Sequence, residues 1–111
     1  MKKENQKVVN AICETAYKEL KKYLEEYRYS YGSKYRLLNC QAEVVEYLDY
    51  ICLYSYGTLV AFIDRNNDTC FDVLRLVYGY TATSAKHIAK FYNKFSKELG
   101  CQPSLMRYYD I

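Results

Sequence analysis

The first clear pattern in the chain is a helical one, from Val8 to Tyr27. Apolar side chains recur there every three or four residues, at Val9, Ile12, Ala16, Leu20, Tyr23 and Tyr27. This spacing places them on one face of an α-helix, while lysines and glutamates occupy the opposite face. Neither glycine nor proline interrupts the run before Gly32. We therefore expect an N-terminal helix within residues 1–30.

The middle of the chain, residues 43–80, is dense in β-branched and aromatic residues, which favour strands. Short polar or glycine-containing segments divide it into the runs 44–47, 50–54, 58–63 and 70–78. Connections this short cannot carry a parallel crossover. We therefore expect an antiparallel sheet of three or four strands.

A second helical pattern covers residues 84–99, with apolar positions at Ala85, Ile88, Tyr92, Phe95 and Leu99. Thr83 or Ser84 can cap its start, and Gly100 can end it. Residues 100–111 are too apolar for a solvated tail, so we expect them to dock on the domain or on a second chain.

These elements predict one α+β domain over residues 1–111, with the second helix packed on one face of the sheet. A chain of 111 residues supports one core. Since we expect the other sheet face to be only partly covered, we also expect a homodimer, formed through the sheet or through tyrosine-rich ends. No apolar run is long enough to cross a membrane, and no signal peptide is visible, so we expect a cytoplasmic protein.

Tyrosine is the anomaly of the composition, with fifteen tyrosines against four phenylalanines and no tryptophan. Many of them fall at loops or at the ends of elements. Tyrosine is enriched at protein interfaces and also stacks on nucleic-acid bases. The alternative is that these rings are half-buried parts of a small core.

No metal or cofactor is expected. The five cysteines form no C-x-x-C pair, and their odd number favours reduced thiols that fill the core. The segment from Asp64 to Asp68 resembles the opening of a calcium loop. The sixth and twelfth positions of that loop, however, hold Thr69 and Arg75 where glycine and glutamate are needed. A hairpin turn explains the segment.

The chain offers little for catalysis. His87 is the only histidine, and no nucleophile motif, P-loop or glycine-rich nucleotide motif occurs. A histidine near a helix start can be satisfied by a capping hydroxyl or a carbonyl. We therefore expect a protein that is not an enzyme.

Four lysines recur along one side of the second helix, at Lys86, Lys90, Lys94 and Lys97. The apolar stripe lies on another side, so the lysines can face outward. They form either a solvated face or a docking strip for phosphate or for an acidic protein surface. The formal net charge of +3 is too small to demand nucleic acid as a partner.

Two segments carry a resemblance. Residues 55–61 read SYGTLVA and resemble Ser-Tyr-x-Thr-x-Val-Ala; residues 80–91 resemble Tyr-Ser-x-Thr-Thr-Ser-Arg/Lys-His-Ile-x-x-Phe. Together they are similar to a group of short proteins from phages and other mobile elements. The second segment departs from the pattern at Thr81, Ser84 and Ala85. The resemblance implies a mobile-element origin and, by association, interference with host machinery such as CRISPR-type defence.

Both the resemblance and the local charges indicate a binding site at the start of the second helix. Free backbone N–H groups and lysines there form a candidate site for an anion or an acidic side chain. The candidate binding residues are Tyr56, Thr58, Tyr80, Thr83, Ser84, Lys86, His87, Lys90 and Lys94. We expect the protein to bind and inhibit or modulate a host protein complex. The alternative is a small regulator that binds nucleic acid, strongly or weakly, through a Lys/Tyr surface.

Overall fold

A computed structural model describes residues 3–37, 41–98 and 102–110. Its elements are α1 (Lys3–Tyr27), β1 (Ser33–Arg36), β2 (Ala42–Glu46), β3 (Tyr50–Ser55), β4 (Thr58–Asp64), β5 (Thr69–Asp72), α2 (Leu74–Val77), α3 (Ala82–Glu98) and β6 (Ser104–Arg107).

The six strands form one sheet in the order β1-β2-β3-β4-β5-β6. Successive strands pair antiparallel, except that β6 lies parallel to β5. The α+β class is confirmed. The expectation of three or four antiparallel strands is confirmed only in part: β2 to β5 are four antiparallel strands, but β1 and the parallel β6 extend the sheet to six strands and make it mixed.

Helices cover both faces of the sheet. On one face, α3 buries Ile88, Phe91 and Phe95 against Leu53 and its neighbours. On the other face, α1 packs with a second core cluster of buried residues, listed here in chain order as Cys13, Leu20, Val45, Tyr47, Cys52, Phe62, Phe71 and Val73. Strands buried on both faces read as continuous apolar runs instead of alternating ones. In the described residues, neither face of the sheet is left half covered, so this reason for expecting a homodimer does not hold. The dimer itself stays a prediction.

Leu74–Val77 form the short helix α2 inside the run 70–78, where the pattern predicts a strand. The side chain of Asp72 explains the change of direction, because its Oδ1 accepts a hydrogen bond from the N–H of Leu74 at 3.1 Å. An aspartate that bonds to the backbone two residues further on favours a turn. This local bond competes with the strand propensity of the segment.

The end of the chain lies against its own domain as strand β6. The side chain of Gln6 donates to the carbonyl of Arg107 at 3.0 Å. The Arg107 guanidinium in turn pairs with the buried carboxylate of Asp72 at 2.7 Å. The tail is thus held by side chains from α1 and β5.

Helix α3 begins before the predicted caps. The hydroxyl of Thr81 accepts a hydrogen bond from the N–H of Ser84 at 3.3 Å, which is the N-cap interaction. The prediction that Thr83 or Ser84 caps this helix is wrong, since both lie in its first turn. The predicted helix end at Leu99 and Gly100 lies outside the described residues.

Three thiols pack as small apolar groups. Cys13, Cys52 and Cys70 are buried and free. Burial raises the pKa of the Cys52 and Cys70 thiols to about 12, so neither is a reactive thiolate. Cys40 and Cys101 lie outside the described residues.

The segment that resembles a calcium loop is the turn between β4 and β5. Asp64 Oδ1 accepts hydrogen bonds from the N–H groups of Asn66 and Asn67 at 3.0 and 3.3 Å. The carboxylate therefore closes the turn. Among residues 3–37, 41–98 and 102–110, no group of three side chains fits a metal ion, and no helix combines the length and apolarity that a membrane span needs.

Candidate functional site

A cleft of about 380 Å³ opens where the β3–β4 hairpin meets the start of α3. Its lining side chains are mostly hydroxyl-bearing: Ser55, Tyr56, Thr58, Val60, Tyr78, Thr81, Thr83 and Ser84. None of these residues is charged. Two of them, Tyr56 and Tyr78, are 63% and 70% exposed.

The hairpin that forms one wall has a two-residue loop, Tyr56 and Gly57, between the paired residues Ser55 and Thr58. Both loop residues have positive φ, 51° and 83°, as a type I′ turn requires. Glycine adopts this conformation freely, whereas an aromatic residue is strained in it by about 1 kcal/mol. The turn thus holds a tyrosine where asparagine, aspartate or glycine is favoured.

A buried chain of polar groups lies beneath the cleft. Ser55 Oγ lies 2.9 Å from Ser84 Oγ and 2.8 Å from His87 Nδ1. The three residues are only 3%, 6% and 5% exposed. Ser84 and His87 are three positions apart in α3, so both face the end of β3. Each buried group therefore has a partner, as burial of polar atoms requires.

His87 is held in its neutral form. Burial lowers the pKa of its imidazole below the ordinary 6.5, and the nearby charge of Lys90 lowers it further. The ring centroid of Tyr56 lies 5.8 Å from that of His87. The exposed tyrosine ring therefore lies next to the buried histidine.

Two hydrogen-bond arrangements satisfy this chain, because a neutral imidazole carries one N–H. In the first, Ser55 donates to Nδ1 and Ser84 donates to Ser55, so Ser84 presents an acceptor to the cleft. In the second, Nδ1–H donates to Ser55 and Ser55 donates to Ser84, so the Ser84 hydroxyl is left as a donor. The floor of the cleft can therefore accept or donate.

A serine bonded to a neutral histidine also resembles a nucleophile and its base. In the described part of the chain, however, no carboxylate hydrogen-bonds to His87 to orient it, and Ser55 is almost fully buried. The arrangement is explained by satisfied burial of polar groups. The expectation that the protein is not an enzyme stays a prediction.

The structure brings five of the predicted site residues together. Tyr56, Thr58, Thr83 and Ser84 line the cleft, and His87 lies beneath it. Lys86 and Lys90 are exposed on the adjoining turns of α3 but do not line the cleft.

The other two predicted residues have different surroundings. The guanidinium of Arg75 lies over the Tyr80 ring, with its Cζ 4.6 Å from the ring centroid. Lys94 forms an ion pair with Glu98 and stands 5.4 Å from the ring centroid of Tyr35. Neither one lines the cleft.

Sequence reasoning missed four lining residues: Ser55, Val60, Tyr78 and Thr81. A signal existed for Ser55, Val60 and Thr81, since they lie within the two resembling segments. No local pattern marks Tyr78, whose place depends on the turn after β5.

Comparison with known proteins gives one match. The profile described as "Family of unknown function (DUF8033)" matches residues 18–105, a span that contains every residue lining the cleft. No curated protein and no solved structure matches the chain. Since the matched span is well over half of the 111 residues, the chain belongs to this family of unknown function, DUF8033.

Proposed function

We propose that this protein is a non-enzymatic binding protein of a mobile element, active in the cytoplasm of a bacterial host. It inhibits or modulates a host protein complex, such as a CRISPR-type defence effector, without a metal or cofactor. The mobile-element origin is supported by the resemblance of residues 55–61 and 80–91. The mode of binding is supported by a surface next to the cleft.

The observation that supports this mode of binding is that two lysines beside the cleft are exposed and, among the described residues, unpaired. Lys86 and Lys90 are exposed, and in the described part of the chain neither forms an ion pair. Over the same described residues, Lys3 and Lys7 of α1 are also exposed and without an ion pair, but only Lys86 and Lys90 lie on the turns of α3 next to the cleft. Two unpaired cations one helical turn apart repel each other, which costs the helix a few tenths of a kcal/mol. An acidic partner surface would remove this repulsion.

Tyr56 completes this surface, which we call the basic–aromatic surface and define as Lys86, Lys90 and Tyr56. Its ring lies beside His87, whose imidazole in turn feels the charge of Lys90. Tyrosine is enriched among the residues that carry most of the binding energy of protein interfaces. The partner is therefore a protein with an acidic patch that accepts an aromatic ring.

The experiment replaces both lysines, as Lys86→Glu with Lys90→Glu. The matched control is Lys3→Glu with Lys7→Glu, which makes the same change of charge near the start of α1 on exposed residues four positions apart. Complex formation with purified CRISPR-type effectors is measured by size-exclusion chromatography with light scattering, together with target cleavage. We expect a stoichiometric, inhibited complex with the wild type and the control, and its loss with the Lys86/Lys90 variant. Equal behaviour of the two variants would contradict the proposed surface.

The second candidate function is a nucleic-acid-binding regulator, and it is favoured by the same unpaired lysines beside an exposed ring. In that case the logarithm of the affinity for DNA or RNA falls linearly with the logarithm of the salt concentration. Removing two phosphate-contacting lysines lowers the slope by about 2. A purified effector that binds with little dependence on salt supports the first function instead.

A further inference from the structure

We propose that the cleft between the β3–β4 hairpin and α3 binds an uncharged heteroaromatic ring of nucleobase size, stacked on Tyr56. This goes beyond the proposed binding of a protein. The basic–aromatic surface and the cleft share Tyr56, but the two lysines lie outside the cleft.

The lining of the cleft holds no charged residue. Every polar side chain that lines the cleft ends in a hydroxyl, and none is charged at neutral pH. An anion in the cleft would lack the arginine or lysine partners that phosphate and carboxylate groups favour. The cleft itself therefore suits a neutral ligand, whose recognition rests on hydrogen bonds and stacking, while the lysines outside it stay the candidate site for acidic groups.

Two exposed aromatic rings contribute to the lining of the cleft. Tyr56 and Tyr78 line the same cleft and are both more than half exposed, so their rings are available to a ligand. The turn holds Tyr56 there at positive φ, against the preference of an aromatic residue. Its N–H donates to the carbonyl of Gln41 at 2.9 Å, which fixes the hairpin against the start of β2. Strain of this kind persists where the surrounding structure enforces it and is concentrated at binding sites.

The floor of the cleft supplies a hydrogen-bonding group. The Ser84 hydroxyl is an acceptor or a donor according to the tautomer of His87. The edge of a nucleobase carries both carbonyl or ring-nitrogen acceptors and N–H donors, and stacking on tyrosine is tolerant of the base. The volume of about 380 Å³ falls in the range of about 300–1,000 Å³ that is typical of small-molecule sites.

The base can come from a free nucleoside or nucleotide, or from a single strand of nucleic acid. The test records amide spectra by NMR while the wild type is titrated with the four ribonucleosides, with their monophosphates, with short single-stranded oligonucleotides and with methyl glucoside. We expect at least one nucleoside to shift the amides of residues 55–58 and 81–84. Stronger binding of the oligonucleotide than of the monophosphate identifies a single strand as the source; equal binding identifies the free nucleotide.

The decisive variant is Tyr56→Asn, because asparagine is favoured at this position of a type I′ turn. We expect it to raise the midpoint of thermal unfolding while weakening nucleoside binding at least about tenfold, as loss of one stacking contact implies. The control is Tyr29→Asn, which removes a ring that is 86% exposed and does not line the cleft. It should leave binding unchanged.

Three results would overturn the inference. They are binding of methyl glucoside without binding of nucleosides, unchanged nucleoside binding in Tyr56→Asn, and no amide shift in the cleft with any base at millimolar concentration. The proposed protein-binding function is judged separately, since it depends on Lys86 and Lys90 and on a complex with a purified effector.

Discussion

Asn10 and Tyr109 lie 99 positions apart in the chain and exchange two hydrogen bonds. The Asn10 side chain donates to the Tyr109 carbonyl at 2.7 Å and accepts from the Tyr109 N–H at 3.1 Å. The Asn10 amide thus pairs with the backbone of Tyr109 as a residue of a neighbouring β-strand would. Asn10 is itself buried, which leaves water little access to these groups.

Replacing this amide should loosen the end of the chain. We expect Asn10→Ala to lower the free energy of unfolding by about 2 kcal/mol, because two backbone groups lose a partner. Urea unfolding followed by circular dichroism measures the change. Asn5→Ala, at an exposed position of the same helix, is the control and should change stability little. Similar effects of the two substitutions would contradict the role assigned to Asn10.

Asp72 holds two elements at once, and two substitutions separate its roles. Its Oδ1 accepts from the Leu74 N–H, and its Oδ2 pairs with Arg107. Asp72→Asn keeps an acceptor for Leu74 and loses the ion pair, so we expect a loss of about 1 kcal/mol. Asp72→Leu loses both roles and leaves a buried N–H unpaired, and we expect about 3 kcal/mol. Denaturant unfolding of both variants tests this order, and a reversed order would refute it.

The single histidine gives the stability a defined dependence on pH. Since the pKa of His87 is lower in the folded than in the unfolded chain, the unfolded chain binds more protons between the two values. The free energy of unfolding therefore falls as the pH drops from about 6.5 to the pKa of the folded state. Above about pH 6.5 it has its full value. Unfolding free energies between pH 5.5 and 7.5 measure this. His87→Gln should be less stable but nearly independent of pH over that range, and a slope equal to that of the wild type would assign the effect to other groups.

Of the two interfaces expected for the homodimer, the structure leaves the tyrosine-rich ends. With both sheet faces covered, exposed apolar side chains at the ends of the sheet remain. Tyr29 and Leu48, which are 86% and 83% exposed, flank one such end. Light scattering at tens of micromolar should give twice the chain mass of 13.2 kDa, and Leu48→Lys should reduce it to that mass. A wild-type monomer under these conditions would exclude the dimer.

The local pattern was sufficient for the elements that carry their own periodicity. The stripes of α1 and α3 and the dense apolar runs of β2, β3 and β4 each bury a face that the sequence displays within a few residues. Part of the cleft lining could be predicted from the sequence for the same reason. Thr58 and Ser84 stand next to recognisable hairpin and helix starts.

The tertiary structure alone decided the rest. Strands β1 and β6 are four residues long, and all of their residues are exposed or half-buried. Each strand therefore depends on hydrogen bonds to a neighbouring strand that no local pattern indicates. Ser55 and His87 are 32 positions apart, and their contact depends on how α3 crosses the end of the sheet. Hydrophobic periodicity acts over one or two turns and determines which residues become buried. Pairing between distant segments depends on the packing of the whole core, and it is this packing that created the mixed sheet and the cleft.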